Sequence, residues 1–243
     1  MDFLEMKQEL GRLYEDFFQN MGIDPHSGRV EGTNYRFTGM PFVGRNYATA
    51  PIKLMYVALD VGKDECVESD TYHSFKDRED IFPDGSLDFN AHIAGMYASA
   101  LYMLKDVMGW QDAWEKLWPY RDEHKTAKAI WRCHEILPQD LMSYICYDNR
   151  YRFVTVGRNA RTGSMDRIYL NPECEGKMLL DEIQVLNPDY VVFQGTSGLW
   201  NCHLDELKDK YKVIITYHPS CWQRGADKLQ YIAEHFLPFA DTK

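Results

Sequence analysis

Four short runs of apolar, β-branched and aromatic residues constrain the fold of this chain more than any other feature. They cover Ile52–Leu59, Tyr151–Val156, Tyr190–Gly195 and Lys212–Ser220. A continuous apolar run of this kind suits a strand that is covered on both faces. The later runs alternate with segments of helical pattern, which is typical of right-handed βαβ units. We therefore predict a three-layer α/β/α fold with a central, mainly parallel sheet of about four strands.

Helical patterns fill much of the remaining chain. An N-terminal helix is predicted from residue 2 to about residue 20, because Asp2 and Glu5 can form a capping box and Gly22 can end the helix. Apolar residues at helical spacing predict further helices over residues 91–108, 114–118, 125–137, 138–146, 173–186, 199–210 and 226–236. Residues 25–50 are rich in Gly, Arg, Asn and Thr and are predicted to form a long, partly ordered loop or short strands. Residues 63–89 lack a regular period and are predicted to form a long loop.

Composition predicts one domain over residues 1–243. Its core covers about residues 50–237, and residues 1–49 form an N-terminal helix and a loop before it. The chain lacks a Pro/Gly/Ser-rich linker, a glycine-rich phosphate loop, an HExxH motif and an apolar run of membrane-spanning length. Its six cysteines are scattered and form no CxxC pair, which is typical of reduced thiols in the cytoplasm. We therefore predict a cytoplasmic protein with no metal, no cofactor and no membrane partner.

The formal net charge is −10. Non-specific affinity for nucleic acid arises when Lys and Arg replace the counterions condensed on phosphates, so this charge argues against a protein that coats DNA. A local basic groove remains compatible with an acidic surface elsewhere.

In parallel sheets, functional groups gather at the carboxyl ends of the strands. In this sequence that rule indicates Asp60, Gly157–Asn159, Gly195–Ser197 and His218–Trp222.

Two of these strand-end segments, VALDVGKDE (Val57–Glu65) and ITYHPSCWQRG (Ile215–Gly225), resemble motifs of the uracil-DNA glycosylase superfamily. That family places an acidic residue after its first core strand. It ends its last core strand with His-Pro-Ser, followed by a loop that enters the minor groove of DNA. The stretch Asn171–Gly198 is similar to the helix–strand–glycine segment between these motifs, so the resemblance covers roughly residues 50–235.

The resemblance implies a hydrolase that removes uracil or a related damaged base from DNA. Asp60 would orient water and stabilise the sugar cation, and His218 would bind the base carbonyl as negative charge develops there. A flipped base also needs a pocket and an inserted side chain. The residues expected to bind the substrate are Tyr72, Phe75, Asn159 and Ser220. Those expected to contact DNA are Trp222 as a wedge and Arg224 and Lys228 at phosphates. The cysteines do not follow the order of the iron–sulfur branches, so no cluster is predicted.

Other interpretations fit parts of this pattern. An aspartate after a strand is commonly a turn or helix cap, and His-Pro-Ser is a short tripeptide. The segment Ala58–Gly62 lacks the leading glycine and the Pro-Tyr of the best-known family. This difference and the acidic charge favour a second hypothesis, in which the protein binds or hydrolyses a free nucleobase, nucleoside or nucleotide. A third is a non-catalytic binding protein that retains the fold.

Overall fold

A computed structural model of the chain describes residues 1–58, 72, 74–81, 91–119, 136–155, 169–194 and 204–216. The helices in these ranges are α1 (Phe3–Met21), α2 (Phe75–Ile81), α3 (Ala91–Met108), α4 (Gln111–Leu117), α5 (Pro172–Leu186) and α6 (Leu204–Lys210). The strands are β1 (Tyr35–Phe37), β2 (Phe42–Val43), β3 (Leu54–Ala58), β4 (Ile145–Asn149), β5 (Phe153–Thr155), β6 (Tyr190–Gln194) and β7 (Lys212–Thr216). Short 3-10 helices cover Tyr47–Thr49 and Leu141–Tyr144.

The main sheet has five strands in the order β2-β4-β3-β6-β7. β4, β3, β6 and β7 run parallel, and the short strand β2 pairs antiparallel with β4 at the edge. β3 lies in the middle, where Leu54 pairs with Ile145 on one side and with Tyr190 on the other. The prediction of an α/β fold with a mainly parallel sheet is thus confirmed.

Helices cover the sheet on both faces, as the continuous apolar runs indicate. One face packs against α3 and α4 through Leu54, Tyr56, Ile145, Tyr190, Val192 and Ile214. The other packs against α1, α5 and α6 through Met55, Val57, Cys146, Val191 and Phe193. Residues on the two faces alternate along each strand, because successive side chains of a strand point in opposite directions.

The ends of α1 follow the local sequence. The carboxylate of Asp2 accepts a hydrogen bond from the backbone N–H of Glu5, and the side chain of Glu5 accepts one from the backbone N–H of Asp2, each at 2.9 Å. At the other end Gly22 adopts φ +64°, a left-handed conformation that glycine takes without a steric penalty. The predicted capping box and helix stop are both confirmed.

The main correction concerns the neighbour of β3. The run Tyr151–Val156 was predicted to form a core strand, but its described part, β5, pairs antiparallel with β1 in a separate two-stranded sheet. β4 lies beside β3 instead, in a region where a helix was predicted over residues 138–146. Of the helix predicted over residues 138–146, only Leu141–Tyr144 are helical, as a short 3-10 helix, and β4 begins at Ile145. Local apolar periodicity did not indicate β4, because its second half is polar and is buried through tertiary contacts.

Two further predictions are corrected in part. The segment of residues 63–89 was expected to be a loop, yet Phe75–Ile81 form α2. Helix α6 is described only from Leu204, since residues 195–203 lie outside the described ranges. The predicted helix over residues 226–236, and residues 125–135 of the helix predicted over 125–137, also lie outside them.

The turn between β2 and the first 3-10 helix passes very close to another segment at Gly44. Its N–H donates to the carbonyl oxygen of Ile145 at 2.9 Å. A Cβ atom at this position would lie 2.5 Å from the carbonyl oxygen of Met142 and closer still to that of Ser143. Backbone atoms cannot yield as the end of a flexible side chain can, so only glycine fits here.

We expect Gly44→Ala to lower the free energy of unfolding by about 2 kcal/mol or more, because the added methyl group forces β2 away from β4. Urea denaturation measures the change. Gly11→Ala in α1 is the matched control, since no atom lies within 4 Å of its added Cβ. Alanine is the better helix former, so this variant should gain up to about 1 kcal/mol. Equal stability of the two variants would contradict the close approach at Gly44.

Candidate functional site

The four parallel strands end at one edge of the main sheet. β3 ends at Ala58, β4 at Asn149, β6 at Gln194 and β7 at Thr216. From β3 the chain crosses to β4 on one side, whereas from β6 it crosses to β7 on the other side. Ligands of open α/β sheets bind in the crevice beside such a switch point. The crevice expected in this chain therefore lies between the carboxyl ends of β3 and β6.

β4 ends on an asparagine that the sequence interpretation missed. Asn159, which follows the predicted strand Tyr151–Val156, was expected to bind the substrate. The strand beside β3 is β4, whose last residue, Asn149, pairs with Ala58. Asn149 is buried, and its Oδ1 accepts a hydrogen bond from the Tyr147 hydroxyl at 3.0 Å. Asn149 therefore lies at the carboxyl end of a core strand, beside the strand that borders the switch point.

The last residues of the four strands form one row across the edge. The register sets Asn149 beside Ala58 and Gln194 beside Thr216, with Ala58 and Gln194 on adjacent strands. All four side chains lie on the face that α3 covers, because they alternate with residues that pack on the other face. Two amides therefore flank the small side chain of Ala58 at the switch point.

Gln194 stands out in this row. Only 3% of the residue is exposed, yet its Oε1 atom has no hydrogen-bond partner in the described part of the chain. The hydroxyl group of Thr216, on the adjacent strand, donates to the carbonyl oxygen of Phe193 at 3.4 Å. Since nearly all buried polar atoms in proteins are hydrogen-bonded, this amide oxygen requires an explanation.

A buried ionic network lies on the opposite face of the sheet, directly beside this row. The guanidinium of Arg152 donates to Asp148 Oδ2 at 2.7 Å and also forms an ion pair with Glu182. The Tyr14 hydroxyl accepts a hydrogen bond from Arg152 and donates one to Glu182. All four side chains are almost completely buried. They join α1, α5 and the end of β4, so they hold the backbone that carries Asn149.

The network contains more carboxylates than cations, and burial makes the second negative charge unfavourable. Burial raises the pKa of Glu182 to about 8, although the ion pair with Arg152 acts in the opposite direction. Burial likewise raises the pKa of Glu175, two turns earlier in α5, to about 7. The Oε1 atom of Glu175 accepts a hydrogen bond from the N–H of Asn171 at 3.0 Å. Of the two, the higher pKa of Glu182 favours its protonated form at neutral pH.

Most of the predicted site residues lie outside the described ranges: Asp60, Asn159, His218, Ser220, Trp222, Arg224 and Lys228. Tyr72 and Phe75 are described, and both are partly buried against aromatic residues of α1 and β1. The ring of Tyr72 lies 5.3 Å from that of Phe18 and 5.5 Å from that of Phe37, and the ring of Phe75 lies 5.7 Å from that of Tyr14. Their stacking on a base stays a prediction.

The described residues form neither a cluster of metal ligands nor a membrane-spanning helix. They contain no group of three or more His, Cys, Asp or Glu side chains placed to bind one metal ion. Every helix that they form is too short or too polar to cross a bilayer.

Comparison of the sequence with protein-family models and with curated proteins found no match.

The raised pKa of Glu182 predicts how stability depends on pH. Between about pH 4.5 and pH 8 the folded protein keeps a proton that the unfolded chain releases, so the free energy of unfolding should fall as pH rises through this window. Above about pH 8 this contribution is lost. Glu182→Gln, which stays neutral, should flatten the decline. Urea denaturation at several pH values measures the slope, to which Glu175 also contributes.

Glu173→Gln is the matched control, because Glu173 lies exposed in the first turn of the same helix. This variant should keep the full slope. A slope in Glu182→Gln equal to that of the wild type would show that Glu182 does not hold the proton.

Proposed function

We propose that this protein hydrolyses the N-glycosidic bond of uracil or a related damaged base in DNA. The observation that carries the proposal is the strand order β4-β3-β6-β7, in which the segments that precede Asp60 and His218 end at the same edge of the sheet. In the sequence, Asp60 follows the last residue of β3 by two positions, and His218 follows the last residue of β7 by two positions. The order agrees with a site built from both motifs.

The spacing of the strands suits a nucleoside. Neighbouring strands lie about 4.8 Å apart, so β3 and β7, with only β6 between them, are separated by about 10 Å. A sugar with its base fits between two groups at this distance. A carboxylate on one side can then stabilise the positive charge that develops on the sugar, and an imidazole on the other can stabilise the departing base. These are the roles that the resemblance implies for Asp60 and His218.

The third component of the proposed site, after Asp60 and His218, is Asn149. The Oδ1 atom of Asn149 accepts from Tyr147, and its Nδ2 group can donate a hydrogen bond to a carbonyl group of a uracil ring. Its burial and the hydrogen bond from Tyr147 restrict its orientation, as recognition of one base requires. The ionic network on the opposite face supports the strand that carries it.

The net charge of −10 favours a second candidate, the hydrolysis or binding of a free nucleoside or nucleotide, or the binding of a free nucleobase. Such a ligand does not need the basic surface that binds a DNA backbone. A third candidate, a binding protein without catalysis, predicts that the ligand binds and is released unchanged.

The test is a glycosylase assay on single- and double-stranded oligonucleotides that contain uracil, with uridine and deoxyuridine assayed in parallel. We expect Asp60→Ala to reduce cleavage by about 10²–10⁴-fold and His218→Ala by about 10²–10³-fold, because each removes a group that acts in the transition state. We expect Asn149→Ala to reduce it by a similar factor, because it removes recognition of the base.

Asn159→Ala is the matched control for Asn149→Ala, since the two positions correspond to the two possible assignments of the core strand. Only Asn149→Ala should impair cleavage. Circular dichroism and thermal unfolding check that each variant is folded. Absence of cleavage of every oligonucleotide by the wild-type protein would refute DNA as the substrate. Release of uracil from deoxyuridine alone would establish the second candidate.

A further inference from the structure

The side chain of Gln194 combines deep burial with an unused hydrogen-bonding atom. The residue is 3% exposed, and its Oε1 has no hydrogen-bond partner in the part of the chain that the structure describes. A buried carbonyl oxygen without a donor destabilises a folded protein. Such a group persists where function requires it, or where a ligand supplies the missing donor.

The position of Gln194 indicates a ligand. Gln194 is the last residue of β6, one of the two strands that border the switch point. On the other strand Ala58 lies beside it, one position beyond the pair Val57 and Phe193. Ligands of this type of sheet bind at this point of the edge. The unpaired oxygen and the strand order are independent observations, and both indicate a ligand at the carboxyl end of β6.

Only a small side chain lies between Gln194 and the second amide of the row. Ala58 separates Gln194 from Asn149, and the two amides stand about 10 Å apart because they are two strands apart. The methyl group of Ala58 is the smallest side chain that could lie between them. Tyr56 precedes Ala58 by two residues and lies on the same face of β3. Its hydroxyl is hydrogen-bonded to Ser99 of α3 at 2.9 Å, which fixes the position of its ring next to Ala58.

We infer that Gln194 is a specificity residue whose amide oxygen accepts the N–H group of a bound base with an imide edge. In an imide an N–H lies between two carbonyl groups, and a carboxamide pairs with it through two hydrogen bonds: the ligand N–H donates to Oε1, and Nε2 donates to a ligand carbonyl. Uracil and its ring-substituted derivatives present this edge. The inference rests on the proposed function for the class of substrate, but concerns recognition and not bond cleavage.

Two probes isolate the predicted hydrogen bond. 1-Methyluracil carries its methyl group where the sugar is attached in DNA and keeps the imide N–H. 1,3-Dimethyluracil has lost that N–H. We expect the wild-type protein to bind 1-methyluracil at least about tenfold more tightly than 1,3-dimethyluracil. The second probe cannot donate to the amide oxygen of Gln194, and a buried acceptor without a donor lowers the affinity. Titrations followed by NMR give both dissociation constants, and the side-chain amide signal of Gln194 should shift with 1-methyluracil.

Gln194→Met tests the role of the residue, because methionine has a similar length and lacks the amide oxygen. The variant should bind both probes equally within about twofold. Its melting temperature should equal or exceed that of the wild type, since an unpaired buried oxygen has been removed. Gln194→Leu provides a second apolar replacement if the first does not fold. Gln184→Met makes the same chemical change at an exposed position of α5 and should keep the preference.

The outcomes separate this inference from the proposed function. A preference that persists in Gln194→Met, or a wild-type protein that binds neither probe or both equally, overturns the inference even if oligonucleotides are cleaved. A preference that depends on Gln194 in a protein that cleaves no oligonucleotide supports the inference and refutes the glycosylase. An unshifted Gln194 amide signal in the presence of bound 1-methyluracil also overturns it.

Discussion

The arrangement of the main sheet depends on the guanidinium of Arg152, which lies between two buried carboxylates. Asp148 would be expensive to bury in β4 without this partner, because an unpaired charge inside a protein costs several kcal/mol. The ion pair with Glu182 links the same group to α5, and the hydroxyl of Tyr14 links it to α1. One side chain thereby connects the sheet to two helices of the outer layer, and β4 can lie beside β3 although half of it is polar.

The candidate site follows from this arrangement. Asp148 and Asn149 are adjacent and point to opposite faces of β4, so the network anchors one residue and positions the next. On the site face, Asn149 and Gln194 flank Ala58 at the switch point between β3 and β6. The hydrophobic clusters on the two faces keep these strands in register, since a shift of one residue would move every apolar side chain to the wrong face.

Two features of the structure oppose stability and lie close to this edge. The cluster around Arg152 contains two carboxyl groups for one guanidinium, and burial raises the pKa of Glu182. The amide oxygen of Gln194 is buried without a donor in the described part of the chain. Buried polar groups that destabilise the folded state commonly occur at functional positions, because binding or catalysis requires them there. The glycine turn at Gly44 is different, because it serves only the close packing of β2 on β4.

The sequence by itself determined the elements whose signals are local: the capped helix α1, the amphipathic helices α3 and α5, and the strands β3, β6 and β7. Their apolar patterns and caps arise from neighbours along the chain, so periodicity is sufficient to find them. Only the tertiary structure decided that β4 lies beside β3, and hence that Asn149 ends a core strand. The segment Ile145–Asn149 is half polar, and its burial depends on Arg152, Glu182 and Tyr14. Glu182 and Tyr14 are distant in sequence, so no pattern within a short window could reveal the pairing. The unpaired oxygen of Gln194 was hidden for the same reason, since a sequence does not show which atoms lack a partner after folding.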